Sequence, residues 1–382
     1  MRKSNTLIQA IKRARKAEDG APPVPKSWDE MNIPPNFRNT VRSDQFLALE
    51  ENVQPDRVEK IIIFCSNAQK EVLDGADYWV ADGTFEVVQN TLFSQLFIVH
   101  AVSNTGITVP CLYGLLPDKE LTSYQRCFDY LKSQDVAQPG SLKTDFEYGI
   151  IRGFQNVYPG VPVNACDAHF KRSLRRKLTS TEIGLASLYL SNEQLQTLIR
   201  YTWALSLVPI DQIVPIWEEF IAGQYDKMSG DDAFEGKGEA VDRWLTYFER
   251  TYVGALNFCT GNRRAPIYPH VVWNKHNSIL NNDASTTNAA EGYNAALKAS
   301  LPRNNSIWTL IKQLRIEENS NQRKLRDVAL GPQNNQSTAP NTSRNLARQQ
   351  KKEELKQLVS NFSNMPISLF MSSVLNYYND MF

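Results

Sequence analysis

Net charge is nearly absent from this 382-residue chain, in which 42 Lys and Arg stand against 41 Asp and Glu for a formal charge of +1. That balance excludes a uniformly basic protein and leaves room for basic clusters hidden inside a neutral total. Long apolar runs are also absent: segments such as IIIFC at 61–65 fall far short of the roughly 20 residues a membrane helix needs, so no membrane span is expected. The opening MRKSNTLIQAIKRARKAEDG lacks the apolar stretch and small-residue cleavage site of a secretory signal. Its Arg-rich, acid-poor start has a superficial likeness to a mitochondrial presequence, and it reads as a basic helix. Cysteine is scarce. Cys65, Cys111, Cys127, Cys166 and Cys259 are odd in number, widely spaced and without any Cys-x-x-Cys, which argues against a disulfide framework or a conventional zinc finger and for a reducing compartment.

What remains is a globular composition, 42% apolar, long enough for two or three domains or for one domain with a large insertion. Residues 1–40 turn from basic to Pro-rich (APPVPKSW, NIPPNF) and read as a short helix followed by an extended arm. From 46 the pattern changes to short β-branched and aromatic runs. FLAL (46–49), IIIFC (61–65), YWVADGTF (78–85), SQLFIVHAV (94–102) and TVPCLYGLL (108–116) read as strands, and the last two are apolar enough to be buried on both faces. Helix and strand then alternate: helix at 122–133, strand at 139–146, helix at 147–158, strand at 161–168, helix at 169–177. The pattern predicts an α/β fold with a mixed sheet covered by helices. Between about 180 and 280 only helical spacing appears, with Trp203, Trp217, Trp244 and Trp273 as an aromatic core of its own. Helices resume at 285–301 and 308–325, GPQNNQSTAPNTSRN (331–345) reads as a linker, and LARQQKKEELKQLVSNF reads as a charged helix.

Three carboxylates stand at the ends of predicted elements, where ligand sites of α/β sheets collect. Asp82 follows Trp79, Val80 and Ala81; Asp145 closes LKTD; Glu291 lies in the first turn of the 285–301 helix. Carboxylates on neighbouring strands raise each other's pKa, a cost that a divalent cation removes. Each also has a purely structural reading: Asp82-Gly83 is a hairpin-turn signal, Asp145 is placed to N-cap the next helix, and Glu291 stands at capping-box spacing from Asn288.

Five segments in order, ADGTFEVVQNTLFSQLFIVHAV, VPCLYGLLPDKELTSYQRCFDYL, LKTDFEYGIIRGFQNVYPGVPV, CDAHFKRSLRRK and TTNAAEGYNAAL, resemble the transposase domain of Mutator-like elements (MULE). They look most like the animal members that carry a FLYWCH-type zinc finger ahead of it, and the likeness runs over roughly residues 8–325. The resemblance implies a ribonuclease H-like core, interrupted by an all-helical insertion, with a DDE triad of Asp82, Asp145 and Glu291 binding Mg²⁺ or Mn²⁺. It implies two-metal hydrolysis of DNA followed by strand transfer, with transposon ends and target DNA as partners, a homo-oligomer when active, and a nuclear location. The expected division is an arm at 1–40, the core at 41–180, the insertion at 181–284, the core again at 285–328, a linker at 329–346 and a helical tail at 347–382. The small residues Gly292, Ala295 and Ala296 are expected to let the Glu291 helix approach the sheet closely.

Cys166 and His169 fit the Cys-x-x-His signature of the family. They read either as a buried hydrogen-bonding pair or, joined by His270 and His276, as a structural Zn²⁺ site. Five of the seven residues in KRSLRRK (171–177) are basic; Lys171, Arg172, Arg175, Arg176 and Lys177 read as a phosphate-binding helix or as a solvated face. Lys12, Arg13, Arg15 and Lys16 read as a nuclear-localisation or DNA contact. The cysteine and histidine inventory leaves no room for a FLYWCH finger, so the expectation is a truncated copy, a fragmentary gene model or a domesticated protein. The alternative to a cutting enzyme is therefore a catalytically lapsed nuclear protein that binds DNA or other proteins.

Overall fold

The computed structural model describes residues 22–88, 91–103, 106–228, 233–281, 288–329 and 343–379. The basic segment holding Lys12, Arg13, Arg15 and Lys16, and most of the expected linker (330–342), lie outside the described residues. The chain divides into two compact units, Met1–Val161 with Thr287–Asn335, and Pro162–Thr286 with Gln336–Phe382. No helix among the described residues is long and apolar enough to cross a membrane.

The first unit contributes six strands to a mixed sheet: β1 (Leu47–Asn52), β2 (Lys60–Phe64), β3 (Tyr78–Thr84), β4 (Gln95–Val102), β5 (Thr108–Leu116) and β6 (Leu142–Thr144). Their order is β1-β2-β5-β4-β3-β6, antiparallel throughout except for the parallel pair β3 and β6. Every residue of β4 is buried, and every residue of β5 after Thr108, as expected of strands covered on both faces. β1 runs on through Glu50, Glu51 and Asn52 beyond the FLAL segment, where its backbone still pairs with β2 and the two glutamates are half-buried.

Helices of eight residues or more are labelled α1 to α10. α1 (Asn67–Asp74) has no apolar stripe long enough to stand out. It is announced instead by the tetrad SNAQ, in which Ser66 and Gln69 form a reciprocal capping box. α2 (Leu121–Ser133) and α3 (Tyr148–Val157) pack on each other and cover one face of the sheet. There Phe97 meets Tyr124 and Phe128 at ring separations of 5.1 and 5.8 Å, and Trp79 meets Phe154 at 6.4 Å. The opposite face buries Phe46, Phe64, Leu96, Ile98 and Tyr113 against Leu310, Ile311 and Leu314. The pleat makes this division, since alternate residues of a strand point to opposite faces. Residues 22–40 hold no strand or α-helix, only a turn at 28–30 and a 3-10 helix at Pro35–Phe37, and they do not hang free: Met31, Ile33 and Phe37 are buried in the same core, and Lys60 Nζ donates to the Met31 carbonyl at 2.7 Å.

The close fit of α3 on α2 depends on Gly149. A Cβ built there would lie 2.8 Å from the Tyr124 ring and 3.1 Å from the Lys119 carbonyl. Tyr124 cannot retreat, because its hydroxyl donates to Glu147 Oε1 at 2.5 Å and accepts from Gln95 Nε2 at 2.7 Å. Gly149→Val is expected to destabilise the protein by about 1–3 kcal/mol, the usual cost of overpacking. A urea midpoint equal to that of wild type would show that the two helices do not meet as described.

The second unit holds β7 (Val163–Ala165), α4 (Asp167–Leu178), α5 (Glu193–Ala204) and α6 (Gly238–Phe248). Beyond β7 its described residues form helices and loops with one isolated bridge, Leu256 to Arg263. Its core is aromatic, as the tryptophans suggest: Phe170 stacks on Trp273 at 5.5 Å, and Trp217 on Phe248 at 5.6 Å.

The first unit resumes with α7 (Asn288–Ser300) and α8 (Ile307–Ala329). The C-terminal segment, α9 (Ser343–Ser360) and α10 (Ile367–Asn379), belongs to the second unit. There α10 packs against α5 and buries Phe370, Met371 and Val374.

Candidate active site

The parallel pairing of β3 with β6 places two of the three acids. Ala81 pairs with Thr144, so Asp82 and Asp145 follow at the next position of adjacent strands. Asp82 is not in a turn. It lies inside β3, opposite Ile98 of β4, and is only 5% exposed. Nor does Asp145 cap α3: the N-cap residue is Glu147, whose backbone N–H donates to the Asp145 carbonyl at 2.8 Å. Asp145 is half-buried just past the end of β6.

The third acid comes from α7. Val80 and Asp82 point to the same face of β3, and on that face Val80 and Val102 pack with Ala290 of α7. Glu291, one residue later, is exposed, and its carboxylate lies within 4.8 Å of that of Asp145. Asn294, one turn further on, donates from Nδ2 to Asp82 Oδ2 at 2.6 Å. Tyr293 shares a 3.2 Å hydrogen bond with the Tyr113 hydroxyl, and Leu297 is buried. The helix therefore docks through Ala290, Tyr293, Asn294 and Leu297. The expectation that small residues allow the approach is corrected: Gly292, Ala295 and Ala296 are exposed, and no atom lies within 4 Å of a Cβ built at Gly292. The capping reading of Glu291 involves the Asn288 side chain, which lies outside the described residues.

Beneath Tyr293 sits a residue with no counterpart in the sequence reading. His100 of β4 is wholly buried, its ring edge-on to Tyr293 at 5.4 Å. Neither of its nitrogens has a hydrogen-bond partner among the described residues. Burial pushes its pKa down to about 3, so the imidazole is neutral over the ordinary pH range. A lone histidine in an otherwise apolar strand was its only signal.

In the second unit, Cys166 is the N-cap residue of α4, with His169 in the first turn. Burial raises the thiol pKa, but the hydrogen bond from the His169 side chain, with the backbone N–H groups of His169 and Ala168, outweighs it, and the net shift is downward. The two form a hydrogen-bonded pair. His270 Nε2 lies 3.0 Å from the Val253 carbonyl and His276 Nδ1 lies 2.9 Å from that of Leu207, contacts that use one ring nitrogen of each histidine. Cys166, His169, His270 and His276 make no metal-binding group among the described residues. The His270 and His276 rings are each held by a backbone carbonyl.

The basic residues of α4 are not equivalent. Lys171 pairs with Asp167 at 2.7 Å, and Lys177 pairs with Glu182 and lies over the Tyr247 ring at 4.8 Å. Arg172, Arg175 and Arg176 are exposed. Alternation along the helix causes the split, since Phe170, Leu174 and Leu178 take the buried stripe.

The similarity to known proteins lies between β3 and the first half of α4. Residues 78–173 match the MULE transposase domain. No curated protein matches the chain. The MULE match contains Asp82, Asp145, Cys166 and His169 and ends inside the basic helix. Glu291 lies beyond it and is joined to the other acids by the fold of the first unit.

Proposed function

We propose that this chain is a DDE-type DNA transposase of the Mutator-like superfamily that cuts phosphodiester bonds with Mg²⁺ or Mn²⁺. The observation that carries this reading is the convergence of three carboxylates from distant parts of the sequence: Asp82 and Asp145 at matching positions of parallel strands, and Glu291 within 4.8 Å of Asp145. The MULE match supports DNA as the substrate and transposition as the origin of the activity. The antiparallel run β5-β4-β3 with parallel β6 beside it supports a ribonuclease H-like core, whose two parts are separated in sequence by residues 162–286. The motif likeness favours the animal type associated with FLYWCH fingers, acting as a homo-oligomer in the nucleus.

The donor set fits a hard divalent cation, because all three side chains offer carboxylate oxygens and none offers sulfur. Asp82, Asp145 and Glu291 would hold the ions. Bound there, such ions supply an activated water and stabilise charge on the leaving 3′ oxygen. The protein contributes position. β3 and β6 fix the two aspartates on a rigid sheet, and α7 brings Glu291 over them, so that little reorganisation remains for the reaction.

The test is incubation of the purified protein with duplex DNA carrying the element's terminal repeats, with and without Mg²⁺, followed by mapping of strand breaks. Breaks with free 3′-OH ends that vanish with EDTA are expected. Retained DNA binding without any metal-dependent break would sink the enzymatic reading and leave a lapsed, DNA-binding protein.

The exposed arginines of α4 support a phosphate-binding role for this helix. Arg172→Ala and Arg176→Ala are each expected to weaken DNA binding about equally for all sequences and to reduce the slope of log K against log salt by about 1. Lys171→Ala and Lys177→Ala should do less, because both lysines are already paired within the protein. Anisotropy titrations at several salt concentrations distinguish the two pairs, and equal losses would remove the distinction.

A further inference from the structure

We propose that Asn294 is a positioning residue for the metal centre: its side-chain amide orients the Asp82 carboxylate, and its carbonyl oxygen receives a hydrogen bond from water in the ion's shell. The role rests on the reading of Asp82, Asp145 and Glu291 as metal ligands. It begins with helix geometry. Residues three apart lie on one face of a helix, so Glu291 and Asn294 approach the acidic cluster together. Asn294 Nδ2 donates to Asp82 Oδ2 at 2.6 Å. An ionised carboxylate only accepts, which assigns the amide nitrogen to that contact and turns Oδ1 away from it.

That Oδ1 is buried and has no hydrogen-bond partner among the described residues. Buried acceptors are almost always satisfied, so an unmet one on the amide that holds Asp82 marks a place where a donor belongs. Water held by a cation is such a donor, and outer partners of this kind orient ligands and tune their affinity. One short hydrogen bond also couples two events, because α7 cannot present Glu291 without holding Asp82. Lys298, which pairs with Glu86 at 2.6 Å, and the buried Leu297 fix the same helix independently. Loss of the Asn294 amide therefore leaves the helix docked and removes this one hold on the Asp82 carboxylate.

The experiment measures Mn²⁺ affinity of the full chain by calorimetric titration, with thermal unfolding in parallel. Asn294→Leu keeps the branched shape without donor or acceptor, Asn294→Ala removes the side chain, and Asp82→Asn is the ligand control. Both Asn294 variants are expected to bind Mn²⁺ about 10–100-fold more weakly, with the thermal midpoint of the Leu variant unmoved. In metal-free, ¹⁵N-asparagine-labelled protein, the Asn294 side-chain amide signal is expected to shift when Asp82 is changed to Ala. Mn²⁺ binding by wild type that Asn294→Leu matches would overturn the proposal and leave the metal centre standing. An amide signal insensitive to Asp82→Ala would overturn it through the geometry. Wild type that binds Mn²⁺ no better than Asp82→Asn would remove the metal centre itself, and the role of Asn294 with it.

Discussion

Asp145→Asn and Glu291→Gln are each expected to lower Mg²⁺-dependent DNA strand cleavage by about a thousandfold or more, which corresponds to roughly 4 kcal/mol of barrier. Both substitutions keep the shape of the side chain and remove its charge, so the fold should survive and the loss should be chemical. The two carboxylates lie within 4.8 Å of each other, a separation at which two negative charges oppose each other and a cation between them relieves the opposition. Removing either charge weakens the hold on the same ion, so the double variant should be scarcely worse than either single one, as found for residues that act as a unit. Single-turnover cleavage with a terminal-repeat duplex reads this directly. If each substitution cost less than tenfold while the unfolding curves stayed alike, the acids would be structural and the active centre would lie elsewhere. Losses that multiply in the double variant would mean that the two act in separate steps.

The second large effect concerns stability rather than catalysis. In the unfolded chain His100 takes up a proton near its ordinary pKa of 6.5, whereas in the folded protein burial holds the value at about 3. Between these limits the unfolded state binds more protons, so stability is fully present above about pH 6.5 and is lost progressively as pH falls toward 3. The loss attributable to this one ring is about 2 kcal/mol at pH 5 and ~4 kcal/mol by pH 3. His100→Leu removes the titrating group and also removes two buried nitrogens without partners among the described residues, so at pH 7.5 it should be no less stable than wild type. Urea unfolding at pH 7.5 and pH 5 is the measurement. The drop between the two pH values should shrink by about 2 kcal/mol in the variant. An unchanged pH dependence would mean that His100 is solvated or paired in solution. Because the ring lies edge-on to Tyr293, acid loosening of this core would also loosen the seat of α7.

Most of the strands could be read directly because each is announced by local chemistry. β-branched and aromatic runs bounded by turn residues mark β2, β3, β4 and β5 to within a residue or two, and the pleat sends their alternate residues to opposite faces. β6 is shorter than the run read as its strand, since only Leu142–Thr144 finds a partner on β3. Pairing is a property of two segments, and the run 139–146 does not contain the second. α1 went unread for the opposite reason: its signal is the cap SNAQ rather than a periodic stripe.

The acids show where local reading stops. Types and order of residues single out Asp82, Asp145 and Glu291 as candidates, and the MULE likeness orders them into a triad, yet a turn, a cap and a capping box answered to the same residues. The register Ala81 to Thr144 removes the first two alternatives by placing Asp82 inside a strand and giving the cap position to Glu147. Asn294 and His100 had no local signal strong enough to name them, because one matters through a contact 212 residues away and the other through complete burial. Composition and periodicity are short-range quantities, so they specify elements and a list of chemically able side chains. Which of those side chains share a site is decided by strand register and by the face on which a helix docks, and these exist only once distant segments are packed together.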